Sequence, residues 1–440
     1  MRRLIILALL LAGMGLILPL GARGHGGQWL LTFGFLVVAA DAVGRLATGF
    51  RIPTIVGFLA AGVVFGPSGL GTISADALRQ LAPVSSLAIA LIAFLAGAEL
   101  RWSELRSRGI LILKILASEM SFTFVAVAGT LFLLRSRVPF LAGTDDITAA
   151  LFSLMFAAIA VVHSPAVTMA LLSETKARGP VARTTLGVVL LSDVAVILLF
   201  SAVLALLRAL SPPAEGAGNG VSMLGLLWEI GGAVIVGSVL GAVVALYLRW
   251  VRRELFLFAI LVAFFGAEVA RLTHVETLLA MLTAGFVAEN LSPHELGEAL
   301  RHAMERSAAP VFVVFFALAG AALEISALRT LWLLVMPIVI ARLVALWAGA
   351  SLGARWAGAT VDERRYVWMG LVSQAGVAIG LVTIVAEVYP TRGSEMRTLF
   401  LAVLAVNQTL GPIIFRLALS RSGELSPPGG APSDAASAPA

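Results

Sequence analysis

The sequence predicts an all-α polytopic membrane protein: two inverted six-helix repeats around a linker helix, preceded by one N-terminal hydrophobic segment. Three observations predict it. Hydrophobic residues fill 60% of the 440 positions and charged residues only 13%, with a mean hydropathy of +1.00. A soluble domain averages about 45–50% apolar and about 25% charged, so this much apolar surface needs lipid as its solvent. Apolar runs of about 18–25 residues recur along the chain, each long enough to cross a hydrocarbon core of about 30 Å. Short motifs also recur in the same order in both halves of the chain, as inverted-repeat transporters do.

The chain has no cysteine, which excludes disulfides, thiolate metal sites and thiol catalysis. A net charge of +6 suggests nucleic acid at first sight, but the basic residues sit in short loops between apolar runs. That pattern encodes membrane topology, not a nucleic-acid surface.

Taken in order, residues 1–25 carry Arg2, Arg3, an apolar run at 3–20, Pro19 and Arg23. This is a signal peptide or an extra helix, and the length of the run favours the helix. Further spans fall at 28–48, 53–70, 82–100, 108–134, 147–172, 184–209, 222–248, 254–271, 274–290, 307–324, 330–353, 366–388 and 398–416. Placing Arg2 and Arg3 in the cytoplasm puts about 21 Lys/Arg on that side and about 9 outside. The C-terminus is then cytoplasmic, and residues 422–440, rich in Pro, Ala and Ser, read as a disordered tail.

The segment LAGAEL at 95–100 returns as LAGAAL at 318–323, and LAAGVV at 59–64 as LTAGFV at 282–287. HSPAVTMALL at 163–172 is echoed more loosely by SQAGVAIGLV at 373–382. Each pair lies an odd number of spans apart, so the copies cross the membrane in opposite directions. This defines a transmembrane domain at 28–418, with repeat one at 28–209, the linker at 222–248 and repeat two at 254–416.

Two charges stand deep in apolar runs. Asp193 lies about ten residues into its span, roughly 15 Å deep, where a carboxylate costs about 2.5–3.5 kcal/mol unless it has a partner or a cavity. It is suited to carrying a proton in one step and a cation in the next. Arg342, roughly 18 Å deep, is expected to neutralise a carboxylate or the carbonyl end of a broken helix. The span at 147–172 is interrupted by His163, Ser164 and Pro165, because proline removes a backbone donor and frees a carbonyl four residues back, at Val161. Its counterpart carries Ser373, Gln374 and Gly376. Paired broken helices point to an ion site, for which Ser164, Thr168, Ser192 and freed carbonyls offer hard oxygen ligands. His163 is either a pH-sensitive group or a neutral, hydrogen-bonded imidazole. Asp41, Glu119 and Glu268 either line the ion path or serve as interhelical hydrogen-bond partners.

The stretches PTIVGFLAAGVVFGPSGLG (53–71), FLAGAEL (94–100), HSPAVTMALLSE (163–174), LLSDVAVILL (190–199), PVFVVFFALAGAALE (310–324) and GLVSQAGVAIGL (370–381) resemble the monovalent cation:proton antiporter superfamily, bacterial type. The resemblance spans about 28–416. It implies a thirteen-helix core, divided into a dimerisation panel and an ion-binding unit that moves like an elevator, in a homodimer of the bacterial inner membrane. It assigns Asp193 as the carrier of H+ and of Na+ or K+, and Arg342 as the intramembrane basic residue. Ser192 departs from the acidic, Asn or Gln residue usual there, and His163 from the usual Thr. Electrogenic members pair a first Asp with a Lys on the 310–324 helix. Both are missing here, which implies electroneutral exchange. No cofactor is expected. Two other transport readings remain: a sodium-coupled organic-anion symporter, and a channel, for which no repeated filter loop is visible. An intramembrane hydrolase using Ser164 or Ser373 is disfavoured, because adjacent His163 and Ser164 do not face each other on a helix.

Overall fold

The computed structural model describes residues 28–50, 52–211, 223–251, 255–323, 325–374 and 377–425. The N-terminal segment at 1–25, Gly376 and the tail from 426 on lie outside the described residues. All regular structure among the described residues is helical, and seven helices are long and apolar enough to cross a membrane. Large side chains such as Leu133, Phe264 and Phe265 are exposed on its outside. This is a multi-pass membrane protein whose lipid-facing surface is apolar.

The helices pack mainly as two bundles. The first holds α1 (Gln28–Gly49), α2 (Thr54–Phe65), the short α3 (Ala75–Gln80) and α4 (Ala82–Ala98). It also holds α9 (Met223–Trp250), α10 (Leu255–Thr273), α11 (Thr277–Leu291) and α12 (His294–Ala321). The second holds α5 (Trp102–Leu133), α6 (Asp146–Ala160), α7 (Pro165–Thr175) and α8 (Pro180–Leu210). To these it adds α13 (Ile325–Trp356), α14 (Val361–Gly370), α15 (Val377–Val388) and α16 (Pro390–Arg421). The spans read at 147–172 and 366–388 are each two half-helices, α6/α7 and α14/α15. The apolar face of α7 packs into the first bundle, placing the first break between the two. At the end of α7, Glu174 accepts from the Thr54 backbone N–H at 3.1 Å and from its hydroxyl at 2.5 Å.

The repeated motifs meet one another. LAAGVV on α2 crosses LAGAAL on α12, and LAGAEL on α4 crosses LTAGFV on α11. Backbones touch at these crossings: a Cβ at Gly97 would lie 1.9 Å from the Leu282 carbonyl oxygen, and one at Gly62 2.1 Å from that of Ala317. Only glycine permits that approach, so the motifs are spelled by a packing requirement.

Carboxylates pin the second bundle at the face carrying the arginine-rich loops. Glu363, 3% exposed, accepts from Thr184 Oγ1 on α8 at 2.6 Å and from Arg108 on α5 at 2.8 Å. It also closes a capping box with Thr360 at the start of α14. Burial opposes its charge, but these hydrogen bonds and the Arg108 charge outweigh that and hold the Glu363 carboxyl below the ordinary glutamate value. A depressed carboxylate adds stability that is whole above its unfolded pKa, about 4.3, and fades as pH falls through the lower folded value. Glu363→Gln is expected to lower stability by about 1–2 kcal/mol at neutral pH. The gap to wild type should narrow on acidification below about pH 4.3. Thermal unfolding in detergent across that pH range checks both.

Glu424 corrects the reading of residues 422–440 as a wholly disordered tail. Its carboxylate accepts from Val181 N at 2.7 Å and Ala182 N at 2.8 Å, capping the N-terminus of α8. Glu424 is held there because α8 begins at Pro180 with orphan N–H groups that need an acceptor.

Candidate functional site

The site lies where the two broken helices meet. Ser164, in extended conformation, caps α7 by accepting from Val167 N at 3.2 Å, and Pro165 occupies the first helical position, where its missing N–H costs nothing. The ends of α6 and α14 leave carbonyls without intrahelical partners, and Arg342 of α13 collects them. Its Nε donates to Ala160 O at 2.8 Å and its Nη1 to Val372 O at 2.7 Å. Nη2 reaches Val162 O at 3.2 Å and Leu371 O at 3.3 Å. The guanidinium is fully buried and neutralises the negative ends of both half-helix dipoles at once. The carbonyls it takes are those of Ala160 and Val162, on either side of Val161, where the proline argument had placed the freed one.

Gln374 joins the same knot. Its Nε2 donates to Ala160 O at 2.8 Å, and its Oε1 accepts from Asn407 Nδ2 of α16 at 2.8 Å. Ser373 is buried directly against Gly411, where an added Cβ would lie 2.0 Å from the serine Oγ.

His163 is buried and fully hydrogen-bonded. Its Nδ1 lies 2.7 Å from Leu371 O and its Nε2 3.0 Å from Glu119 Oε1 of α5. A carbonyl only accepts, so Nδ1 carries a proton. The contact between Nε2 and Oε1 therefore holds one further proton, on one partner or the other. Glu119 also lies within electrostatic range of Arg342. It is thus an interhelical partner at the crossing. Asp41 and Glu268, both partly exposed, are paired along their own helices, with Arg45 and Arg271.

Asp193 sits on α8 at 3% exposure, and neither carboxylate oxygen has a hydrogen-bond partner. Ser192, beside it, donates back to Val189 O of its own helix at 2.7 Å. Thr168 likewise donates to Ser164 O at 3.1 Å. Glu119 leaves one oxygen unpartnered but reaches His163 with the other, whereas Asp193 has no partner for either oxygen. A buried carboxylate without partners calls for neutralisation, which a proton or a cation can supply. The acidic group acting on it from the first bundle is Glu276, which the sequence reading missed because it stands at the edge of a span.

This arrangement matches a known family. The model of the transmembrane sodium/hydrogen exchanger fits residues 5–420. The chain belongs to the sodium/hydrogen exchanger family. Two solved structures of the sodium proton antiporter MjNhaP1 from Methanocaldococcus jannaschii share the fold of this exchanger. Their TM-scores are 0.64 and 0.69 at 16% and 17% identity, covering 90% of this chain and 97% and 98% of theirs. The probable Na(+)/H(+) antiporter GerT of Bacillus cereus is 23% identical over 364 residues, 78% of this chain and 87% of its own length. The iron transporter MagA of Paramagnetospirillum magneticum is 32% identical over 172 residues, 38% of this chain and 36% of its own length. Family and fold are those of transporters.

Proposed function

We propose that this exchanger moves Na+ or K+ against H+ by alternating access, with Asp193 carrying the proton in one half-cycle and the cation in the other. The observation that carries this reading is the buried Asp193 carboxylate with both oxygens unpartnered, beside two crossed half-helices whose carbonyl ends are already satisfied by Arg342. Ser164, Thr168, Ser192, His163 and Ser373 stand close in sequence to Asp193 or to the breaks, and their hydroxyls and carbonyls are the available oxygen ligands. One carboxylate, with Ser192 in place of a second acid and no lysine on the 310–321 stretch of α12, supports one cation per proton and electroneutral exchange. The α2–α12 and α4–α11 crossings are the pairs that an inverted repeat relates by its two-fold, which supports the reading of 28–209 and 254–416 as repeats. A homodimer in a bacterial inner membrane, with a cytoplasmic C-terminus and a role in pH homeostasis, completes the proposal.

Proton flux in proteoliposomes, with Na+, K+ and Li+ supplied separately and the potential clamped or free, tests it. Exchange with Na+ or K+ that ignores the potential is expected. A rate that follows the imposed potential sinks electroneutrality, and flux only in the presence of an organic anion sinks antiport in favour of symport. Ferrous ion as a further arm covers the activity named for the MagA relative.

A further inference from the structure

Three elements converge beside Asp193. Its neighbour Val194 packs on a small apolar cluster that joins Ala233 of α9 and Ala270 of α10 to Val275 and Leu279, so this turn of α8 lies against the end of the first bundle where α11 begins. Glu276, between Val275 and Leu279, caps α11 by accepting from Leu278 N at 3.1 Å and from Leu279 N. The Glu276 backbone N–H donates to Glu229 O on α9 at 3.2 Å, which ties the two acidic residues together. Both are half-buried, and Glu276 is the charge that acts on Asp193, as Glu229 is on Glu276. Two backbone donors use only part of what a carboxylate can accept, so Glu276 retains lone pairs for a ligand. Arg271, the basic residue near the end of α10, is engaged with Glu268 and exposed. Glu229 stands near the start of α9 and Arg249 in its last turn, so this corner lies at the opposite end of α9 from Arg249.

We propose that Glu276 and Glu229 form a recruiting site for a monovalent cation, on the side of Asp193 away from the arginine-rich loops, from which the cation passes to the buried carboxylate. The proposal rests on the reading of Asp193 as the carrier. A line of three acidic groups, each within range of the next, raises the local cation concentration at the entrance to the path. The unpartnered Asp193 oxygens supply the destination. Carboxylate and carbonyl oxygens favour a hard cation, and the half-buried position requires it to shed part of its water on the way in.

Cap and charge are separable at position 276, because Asn and Asp both cap helices but only Asp keeps the charge. Glu276→Asn is expected to raise the apparent KM for the transported cation about tenfold or more, by more than any fall in maximal rate. Glu276→Asp should restore the wild-type KM. Right-side-out and everted vesicles should show the rise only when Na+ or K+ is presented on the Glu276 face. A wild-type KM in Glu276→Asn, or an equal rise from both faces, overturns the proposal and leaves the Asp193 reading standing. Should Glu276→Asn fail to insert, Glu229→Gln carries the test: a raised KM from that face supports the site, and an unchanged one overturns it. Failure of the carrier reading shows separately, as exchange persisting in Asp193→Asn.

Discussion

Replacing Asp193 by Asn is expected to reduce exchange to the level of protein-free liposomes while leaving the protein folded. Asparagine has nearly the same shape but takes up neither a proton nor a cation at that position. The fold has no stake in the charge, since neither Asp193 oxygen holds a hydrogen bond and the side chain is almost fully buried. An isolated charge at mid-membrane costs about 2.5–3.5 kcal/mol, so Asp193→Asn should unfold at the same temperature as wild type or a higher one. Loss of transport together with retained or raised thermal stability separates a carrier from a scaffold residue. Robust exchange in the variant would end the mechanism proposed for this chain. A large fall in unfolding temperature would make Asp193 a structural residue instead.

Asp193 and Arg342 were legible from sequence because both violate the same rule: a charge in a run of twenty apolar residues has to be explained. The breaks were legible because proline at 165 and the Ser-Gln-Ala-Gly stretch at 373–376 weaken helices by known means. What could not be read was which groups meet. Glu119 lies 44 residues from His163, and Leu371 lies 208 away, so nothing local signals their contact. Ser192 shows the converse. Its adjacency to Asp193 was plain, but not that its hydroxyl donates to Val189 O on its own helix, which leaves only the oxygen lone pairs for a ligand. Glu424 was misread because composition speaks for a segment as a whole. A single carboxylate in a Pro/Ala/Ser-rich stretch finds a helix N-terminus only in three dimensions. The glycine motifs were legible as repeats, but their reason, backbone contact at two crossings, came from the packing.

Arg342→Leu is expected to cost about 3–5 kcal/mol of stability, the largest effect of any single change considered for this chain. The substitution is apolar and fits lipid better than arginine does, so a hydropathy argument alone would predict a gain. The carbonyls decide the sign. Ala160, Val162, Leu371 and Val372 all lose a charged donor, and only Ala160 keeps another, from Gln374, and Leu371 another, from His163. Two half-helix ends with aligned negative dipoles would then face each other, with Glu119 nearby and its cation gone. Arg342→Lys keeps the charge but offers a compact point of donors in place of the planar fork that spans both breaks, so it should recover only part of the loss. Thermal unfolding in detergent orders the three proteins as wild type, Lys, Leu. A Leu variant as stable as wild type would mean that the crossing holds without its guanidinium. Combining Arg342→Leu with Glu119→Gln goes one step further. If the two side chains balance each other's charge, the double variant should be less destabilised than the sum of the singles, by about 0.5–3 kcal/mol.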